Sequence, residues 1–334
     1  MVRIVLDAMG GYGAPQVEVQ GALDALERDG DLSVVLAGDP AEIEAALAGR
    51  GAEEDRLSVL PAVQKISMDE PPASAVRRKP DSSIVVGMEE VGRGSADAFV
   101  SAGSTGAIMA ASVLVLGPMP GVDRPAVGVV VPTVSDPIFV LDVGANVDSQ
   151  AFHLHQFAHL GDIYAREVMG RPDPSVGLLN VGEEAEKGDE VSVEAHARLE
   201  ADPGLRFVGN VEGDDILGGA CDVLVCDGFA GNVFLKFYES VAGFVRGWLE
   251  DAGASGADIP ALDELFRVLD YAEYGGAPLL GVGGVTVICH GDSTARAVRN
   301  ALGVASESVR AGMLETLGRD LEELSRRTGA GRAE

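Results

Sequence analysis

Paired cysteines, long apolar runs and any excess of basic charge are all missing from this chain of 334 residues. Cys221, Cys226 and Cys289 make neither an even disulfide framework nor the CxxC spacing of a zinc site, so a reducing, cytoplasmic compartment fits best. Nowhere do eighteen apolar residues run together, and no membrane-spanning helix is expected. The first residues, Met1-Val-Arg-Ile-Val-Leu-Asp7, reach a charge too soon for the apolar region of a signal peptide, so none is expected. Lysine stands only at Lys65, Lys79, Lys187 and Lys236, and 25 Lys+Arg face 53 Asp+Glu, a formal net charge of -28. Sequence-independent nucleic-acid binding draws its free energy from cations placed on phosphates, so such a chain repels polyanions. The acid excess and the preference for Arg fit adaptation to high internal salt, where screening shrinks to about 3 Å at 1 M, or a compositional bias against Lys. Bias alone leaves the acid excess unexplained.

What is present is an alternation of two periods. Short β-rich apolar runs recur at 3–6, 33–36, 98–100, 127–131, 138–141, 176–179, 223–225 and 285–288. Helical stretches lie between most of them, at 17–28, 40–48, 83–91, 106–116, 152–169, 191–201 and 232–249. Strand, Gly-rich turn and helix in rotation predict an α/β fold with a doubly wound, mostly parallel sheet covered on both faces. No repeat or low-complexity linker divides the chain, which reads as a single domain over 1–334. Within it, 251–258 joins two helical segments, so 244–274 is expected as an inserted helical hairpin and 325–334 as a disordered tail.

In such folds ligands gather at the carboxyl ends of the strands. Five turns there are rich in Gly, Asn, Asp and Ser: residues 7–13, 101–106, 142–148, 180–188 and 227–232. Glycine lets backbone N–H groups converge on an anion or a carbonyl oxygen. One such turn is ordinary in an αβ protein, but five, three of them carrying Asn146, Asn180 and Asn232, suggest a phosphate or carbonyl-oxygen site. No GxxxxGK[ST] loop, GxGxxG fingerprint or GxSxG elbow occurs. His153, His155 and His159 fall at i, i+2 and i+6, which does not read as a one-face metal pair, so no metal is expected.

The strings LDAMGG, AVRRKPDSS, SAGSTGA, LDVGANVD, LLNVGEEAEKG, FVGNVEG, VCDGFAGNVFLK, EYGGAPLLGV and HGDSTARAVRNA, in this order from Ile4 to about Leu302, resemble the signature of the PlsX family, the phosphate acyltransferases of bacterial phospholipid synthesis. The resemblance implies transfer of a long-chain acyl group from acyl-[acyl carrier protein] to orthophosphate, giving acyl phosphate. It also implies a homodimer with a Rossmann-like three-layer α/β/α sandwich related to phosphotransacetylases, and no organic cofactor. Ser104 and Asp292 stand where Asn and Ser are common in the family; the first keeps a donor, the second adds charge near His290.

The chemistry can be read from the residues as well. Phosphate is already an oxyanion near neutral pH, and a thiolate of pKa about 8.5 leaves readily, so neither a Ser nucleophile nor a metal is required. The protein must neutralise two repelling partners, align phosphate oxygen with carbonyl carbon, and supply oxyanion donors. The expected catalytic residues are Lys187 on phosphate, Asn232 at the oxyanion, His290 as proton donor to the thiolate, and Lys236 one helical turn after Asn232. Binding is expected from Asp7, Gly10, Gly11, Ser104, Thr105, Gly106, Asn146, Asn180 and Gly231. Plainer roles stay open: both lysines as solvated surface cations, Asn146 and Asn232 as turn or cap residues, His290 as a core or capping histidine, and Asp7 as a turn cap.

Arg77, Arg78 and Lys79 form the one basic run, and with Arg124 they are the expected docking patch for an acidic carrier protein; a solvated loop end partnering internal acids is the alternative. The hairpin 244–274 carries Arg246 and Arg267 against seven acids while keeping Trp248, Leu249 and Phe266, which leaves weak apolar membrane contact rather than attraction to anionic lipid. The rival functions are a short-chain phosphate acyltransferase using acyl-coenzyme A and a non-catalytic acyl-carrier-binding scaffold; a dehydrogenase is a distant third for want of its fingerprint.

Overall fold

A computed structural model describes residues 1–50, 55–251 and 275–328. The chain divides into two compact units, one of residues 1–125 and 275–334, the other of residues 126–274. The single domain read from the sequence thus meets two units without a linker of distinct composition, because unit 2 leaves and re-enters unit 1 between strands.

Unit 1 carries strands β1 (Val2–Asp7), β2 (Leu32–Gly38), β3 (Leu57–Pro61), β4 (Ala98–Ser101), β10 (Ala277–Leu280) and β11 (Val285–Ile288), in the order β3-β2-β1-β4-β11-β10. All neighbours are parallel except β10 and β11. Unit 2 carries β5 (Ala126–Val131), β6 (Ile138–Leu141), β7 (Ser175–Leu179), β8 (Arg206–Val211) and β9 (Val223–Val225), in the order β5-β6-β9-β7-β8, parallel except for the β5–β6 pair. The expected α/β/α sandwich with a mostly parallel sheet is therefore present. Its central strands are unbroken apolar runs because helices cover both faces: β4, β6 and β9 are buried at every residue.

Helices start where a cap is available. Asp39 accepts from the N–H groups of Ala41 (2.8 Å) and Glu42 (3.2 Å) to open α2 (Pro40–Leu47), with Pro40 inside the first turn. Ser82 opens α4 (Ser83–Gly92), Asp189 opens α7 (Glu190–Glu200), and Thr294 opens the helix Ala295–Arg310. In unit 1 the helix α1 (Gln16–Arg28) packs on Ala295–Arg310, and Arg310 pairs with Asp29 at 2.8 Å just beyond the end of α1. The core of unit 1 gathers Ile4, Leu6, Leu36, Met88 and Phe99; that of unit 2 centres on Phe139 and Tyr164, whose rings stack 4.2 Å apart, with Phe157 of α6 (Ala151–Glu167).

Several boundaries differ from the sequence reading. Strands β3, β8 and β10 and the short helix α3 (Pro72–Arg78) carry no strong apolar run to announce them. The helix expected at 106–116 is α5 (Thr105–Ala111) followed by a π-helical turn, Ser112–Leu116. The helix expected from residue 232 begins four residues earlier: α8 spans Gly228–Asp251, because Asp227 accepts from the N–H groups of Phe229 (2.8 Å) and Ala230 (2.9 Å). Residues 244–251 continue that helix, and the rest of the expected hairpin lies outside the described residues. Of the expected tail, 325–328 close the helix Met313–Thr328 and the remainder is outside the described residues. Among the described residues no helix is long and apolar enough to cross a membrane.

Candidate functional site

Each unit folds its Gly-rich turns around one buried aspartate at a strand's carboxyl end. In unit 1 this is Asp7, the last residue of β1. Its Oδ2 accepts the Ser101 hydroxyl at 2.6 Å and its Oδ1 the Met9 N–H at 3.0 Å, while Ser101 Oγ in turn accepts the Gly103 N–H at 2.9 Å. The turn after β1 thereby meets the turn after β4. A Cβ on Gly10 would lie 2.6 Å from the Gly103 nitrogen and 2.7 Å from Asp7 Oδ2, so the close approach requires glycine. The turn after β11 joins them through the Tyr12 N–H, which donates to the Gly291 carbonyl at 2.9 Å. Asp7, Gly10, Gly11, Ser104 and the turn that carries His290 therefore belong to one loop cluster.

Burial raises the Asp7 carboxyl above its ordinary range, while hydrogen bonds from Ser101 and Ser83 act against it. Fully buried and saturated with donors, Asp7 organises these loops rather than facing solvent. Ser104 is buried, Gly106 half-buried, and Thr105 exposed at the start of α5. His290 is about half exposed; its Nδ1 accepts the Asp292 N–H at 3.2 Å, so the neutral ring carries its proton on the outward Nε2.

One residue here gave no sign in the sequence. Glu18, on α1, is buried; its Oε1 accepts the Gly11 N–H at 3.1 Å and its Oε2 has no hydrogen-bond partner among the described residues. Burial, reinforced by the charge of Asp7, pushes its pKa from 4.5 up to about 7. Such a group holds a proton at the edge of neutrality behind a glycine loop.

In unit 2 the equivalent anchor is Asp142, which follows β6. Its Oδ1 accepts N–H groups of Val127 (3.1 Å), Gly144 (3.2 Å) and Ala145 (3.0 Å), and its Oδ2 accepts both the backbone N–H (2.7 Å) and the side-chain amide (3.0 Å) of Asn146. Burial raises its carboxyl against these bonds. The sequence pattern singles out Asn146 in this turn rather than Asp142; in the structure Asn146 is buried and turned onto Asp142, the plainer turn role. The Asn146 carbonyl accepts the Gly228 N–H at 2.7 Å, which ties the turn after β6 to the start of α8. A Cβ on Gly231 would overlap the Asp142 carbonyl oxygen. Asn232 is exposed on α8 beside Gly144, where an added Cβ would lie 3.5 Å from Asn232 Oδ1.

Asn180 closes a third turn: its Nδ2 donates to the Lys187 carbonyl at 3.1 Å and its Oδ1 accepts the Val181 N–H at 2.8 Å. Asn210, at the end of β8, braces the same turn by donating to the Glu184 carbonyl at 2.8 Å. The turn presents Lys187, exposed and in no ion pair among the described residues although three glutamates precede it. Lys236 differs, for its Nζ meets Glu239 Oε2 at 2.8 Å on the same helix, as an ordinary helix-surface pair does.

Of the basic run, Arg77 and Arg78 are exposed in the last turn of α3, whereas Lys79 is tied inward to Glu70 and to the Lys65 carbonyl, both at 2.6 Å. Arg124 is half-buried with Asp123 3.9 Å away. The histidine reading needs correction: His155 and His159 are four residues apart, hence on one face of α6, and both reach Asp202. The triplet counted from His153 concealed that pair; His153 itself accepts the Gln150 N–H and closes a capping box.

Residues 2–316 match the family described as fatty acid synthesis protein. Among curated relatives, the chain is 47% identical to the phosphate acyltransferase of Desulforamulus reducens over 96% of this chain and 98% of that one. It is 50% identical to that of Heliobacterium modesticaldum, over 92% and 94%. Among solved structures, a phosphotransacetylase from Streptococcus pyogenes superimposes with a TM-score of 0.63 at 18% identity, covering 93% of this chain and 94% of that one. A branched-chain phosphotransacylase from Enterococcus faecalis gives 0.59 at 14% identity, over 92% and 99%. These two likenesses establish a common fold.

Proposed function

The chain belongs to the phosphate acyltransferase family, and from that premise we propose that it transfers a long-chain fatty acyl group from acyl-[acyl carrier protein] to orthophosphate, releasing acyl phosphate for glycerolipid synthesis. The observation that carries this reading is the set of glycine-rich turns at strand ends in unit 2, where the Asp142 turn is tied to the start of α8 and the Asn180 turn presents Lys187, in no ion pair among the described residues, while the sequence holds no nucleophilic serine elbow. A phosphate oxygen attacks the thioester carbonyl carbon, the tetrahedral oxyanion collapses, the carbon–sulfur bond breaks, and the carrier thiolate takes up a proton. Within unit 2, Lys187 and the Asn180 turn hold phosphate, and Asn232 and neighbouring amides receive the oxyanion. Lys236, already neutralised by Glu239, adds field rather than contact. Gly10, Gly11, Ser104, Thr105 and Gly106 shape the turns of unit 1, and Gly231 shapes the start of α8 in unit 2.

Arg77, Arg78 and Arg124 dock the acidic carrier, with Lys79 holding the base of that patch. The working form is a cytoplasmic homodimer with weak peripheral membrane contact. Support comes from α8, where Phe229, Val233, Phe237, Val241, Phe244 and Trp248 stand exposed three or four residues apart along one face, an apolar stripe that a second copy or a lipid surface would cover.

The decisive experiment incubates the purified protein with palmitoyl-carrier protein and orthophosphate, measures free carrier thiol, and traps acyl phosphate with hydroxylamine. Phosphate-dependent thiol release with a hydroxamate product supports the reading. Release from acyl-coenzyme A alone selects the short-chain alternative, and tight carrier binding without release selects the scaffold.

A further inference from the structure

The structure assigns a second site to unit 2: His155, His159 and Asp202 form a binding place for one divalent transition-metal ion of the zinc class, which would clip α6 to the turn that follows α7. The three side chains come from positions 43 and 47 residues apart, yet both imidazole Nε2 atoms converge on the same carboxylate oxygen, Asp202 Oδ2, at 2.7 Å from His155 and 2.8 Å from His159. The imidazole rings meet edge to face with centroids 5.0 Å apart. One ligand atom from each residue lies within 4.8 Å of the others. Two imidazoles and a carboxylate are the donor set that borderline metals such as Zn²⁺ and Co²⁺ prefer, whereas Ca²⁺ and Mg²⁺ prefer oxygen alone.

The surroundings suit a built site. The side chains are only 11 to 13% exposed, so they were assembled by packing rather than scattered on a surface. The second oxygen of Asp202 is already engaged, since Oδ1 accepts the Gly204 N–H at 2.8 Å, and this orients Oδ2 toward the histidines as an outer-shell bond orients a metal ligand.

Binding through both Nε2 atoms moves each neutral ring's remaining proton to Nδ1, so no proton is lost when both rings start neutral. Metal–ligand bonds of about 2.0–2.1 Å in a tetrahedron set ligand atoms roughly 3.3 Å apart, so the three groups must open by about half an ångström from their hydrogen-bonded spacing. Water completes the coordination. The site is separate from the strand-end turns, because α7 runs from the turn of Lys187 to Asp202, which precedes β8; its role is to fasten unit 2, not to touch substrate.

The test uses the full chain, stripped with chelator and titrated with Co²⁺, with Zn²⁺ as competitor and metal counted by mass spectrometry. About one ion per chain, visible ligand-field bands of nitrogen-ligated Co²⁺, and a Zn²⁺-dependent rise in Tm reversed by chelator are expected. His155→Gln with His159→Gln should weaken uptake by more than the roughly 10- to 100-fold that losing a supporting group alone costs. Asp202→Asn keeps an oxygen that can accept from the imidazoles, so it preserves a purely hydrogen-bonded cluster yet should still weaken metal binding at least tenfold. The proposal falls if the wild-type chain shows no Co²⁺ bands and no Tm rise. It falls equally if uptake persists in the double His variant, which would place the ion on the acids Glu183, Glu212 and Asp215.

Discussion

Glu18 accepts the Gly11 N–H on one oxygen at 3.1 Å and buries the other with no hydrogen-bond partner among the described residues, so a helix carboxyl holds the first glycine turn from behind. Its pKa of about 7 in the fold, against 4.5 ordinarily, has a definite consequence for stability. Between these values the unfolded chain has released the proton and the folded chain keeps it, so the contribution of Glu18 to stability is full below pH 4.5 and is lost as pH rises through 7. The shift corresponds to about 3 kcal/mol. Asp7 and Asp142, also raised by burial, act with the same sign at their own pH. Glu18→Gln should flatten the decline between pH 5 and 7. Urea midpoints measured across that range in both proteins check this, and an equal decline in the variant would rule Glu18 out as the source.

Gly231 touches the site through what it lacks. A methyl group there would overlap the Asp142 carbonyl oxygen, so Gly231→Ala must push α8, which presents Asn232, away from the Asp142 turn. Overpacking of this kind costs about 1–3 kcal/mol, and the expected companion is a fall in kcat of tenfold or more. Gly243, on the same helix, has open space around its added Cβ, and Gly243→Ala should instead stabilise by about 0.5–1 kcal/mol. Thermal melts and thiol-release rates on the pair separate contact from helix propensity; equal behaviour would contradict the packing argument.

Much of this architecture is written in local pattern. The buried strands β1, β4, β6 and β9 announce themselves as apolar runs because both faces are covered. The strands that escaped the pattern are of another kind: β3 and β8 end their sheets and are half-exposed, and β10 is a short antiparallel partner containing Pro278. The early start of α8 was hidden by its glycines, which are poor helix formers, and is imposed by the cap of Asp227. The turns of the site were legible as composition, but which residue faces outward was not. Asn146 and Lys187 look alike in sequence, and only folding turns the first onto Asp142 and leaves the second exposed. Glu18 and Asp202 gave no signal because each acts through a partner brought to it by packing.

The two candidate lysines should separate in kinetics. Lys187 is exposed, in no ion pair among the described residues, on a turn braced by Asn180 and Asn210, whereas Lys236 is matched with Glu239. Lys187→Ala is expected to raise KM for phosphate at least tenfold, and Lys236→Ala to change it less than threefold. Initial rates across a phosphate series at saturating acyl donor decide it; a larger effect at Lys236 would reverse the assignment.

Arg77 and Arg78 end α3 in solvent, whereas Lys79 is spent on Glu70, whose carboxyl it holds below the usual range. A carrier-docking role thus falls on the two arginines, while Lys79 should act on stability. Docking charges at a rim set encounter rate and are screened over about 8 Å at physiological salt. Arg77→Ala with Arg78→Ala is therefore expected to raise KM for the acyl carrier severalfold at low salt with kcat within twofold. The difference from the parent protein should shrink as salt rises, because screening removes the same attraction. Steady-state rates over a salt series, with the carrier as varied substrate, provide the measurement. A KM ratio independent of salt would show that the arginines act through local structure, and an unchanged KM would move docking to another surface.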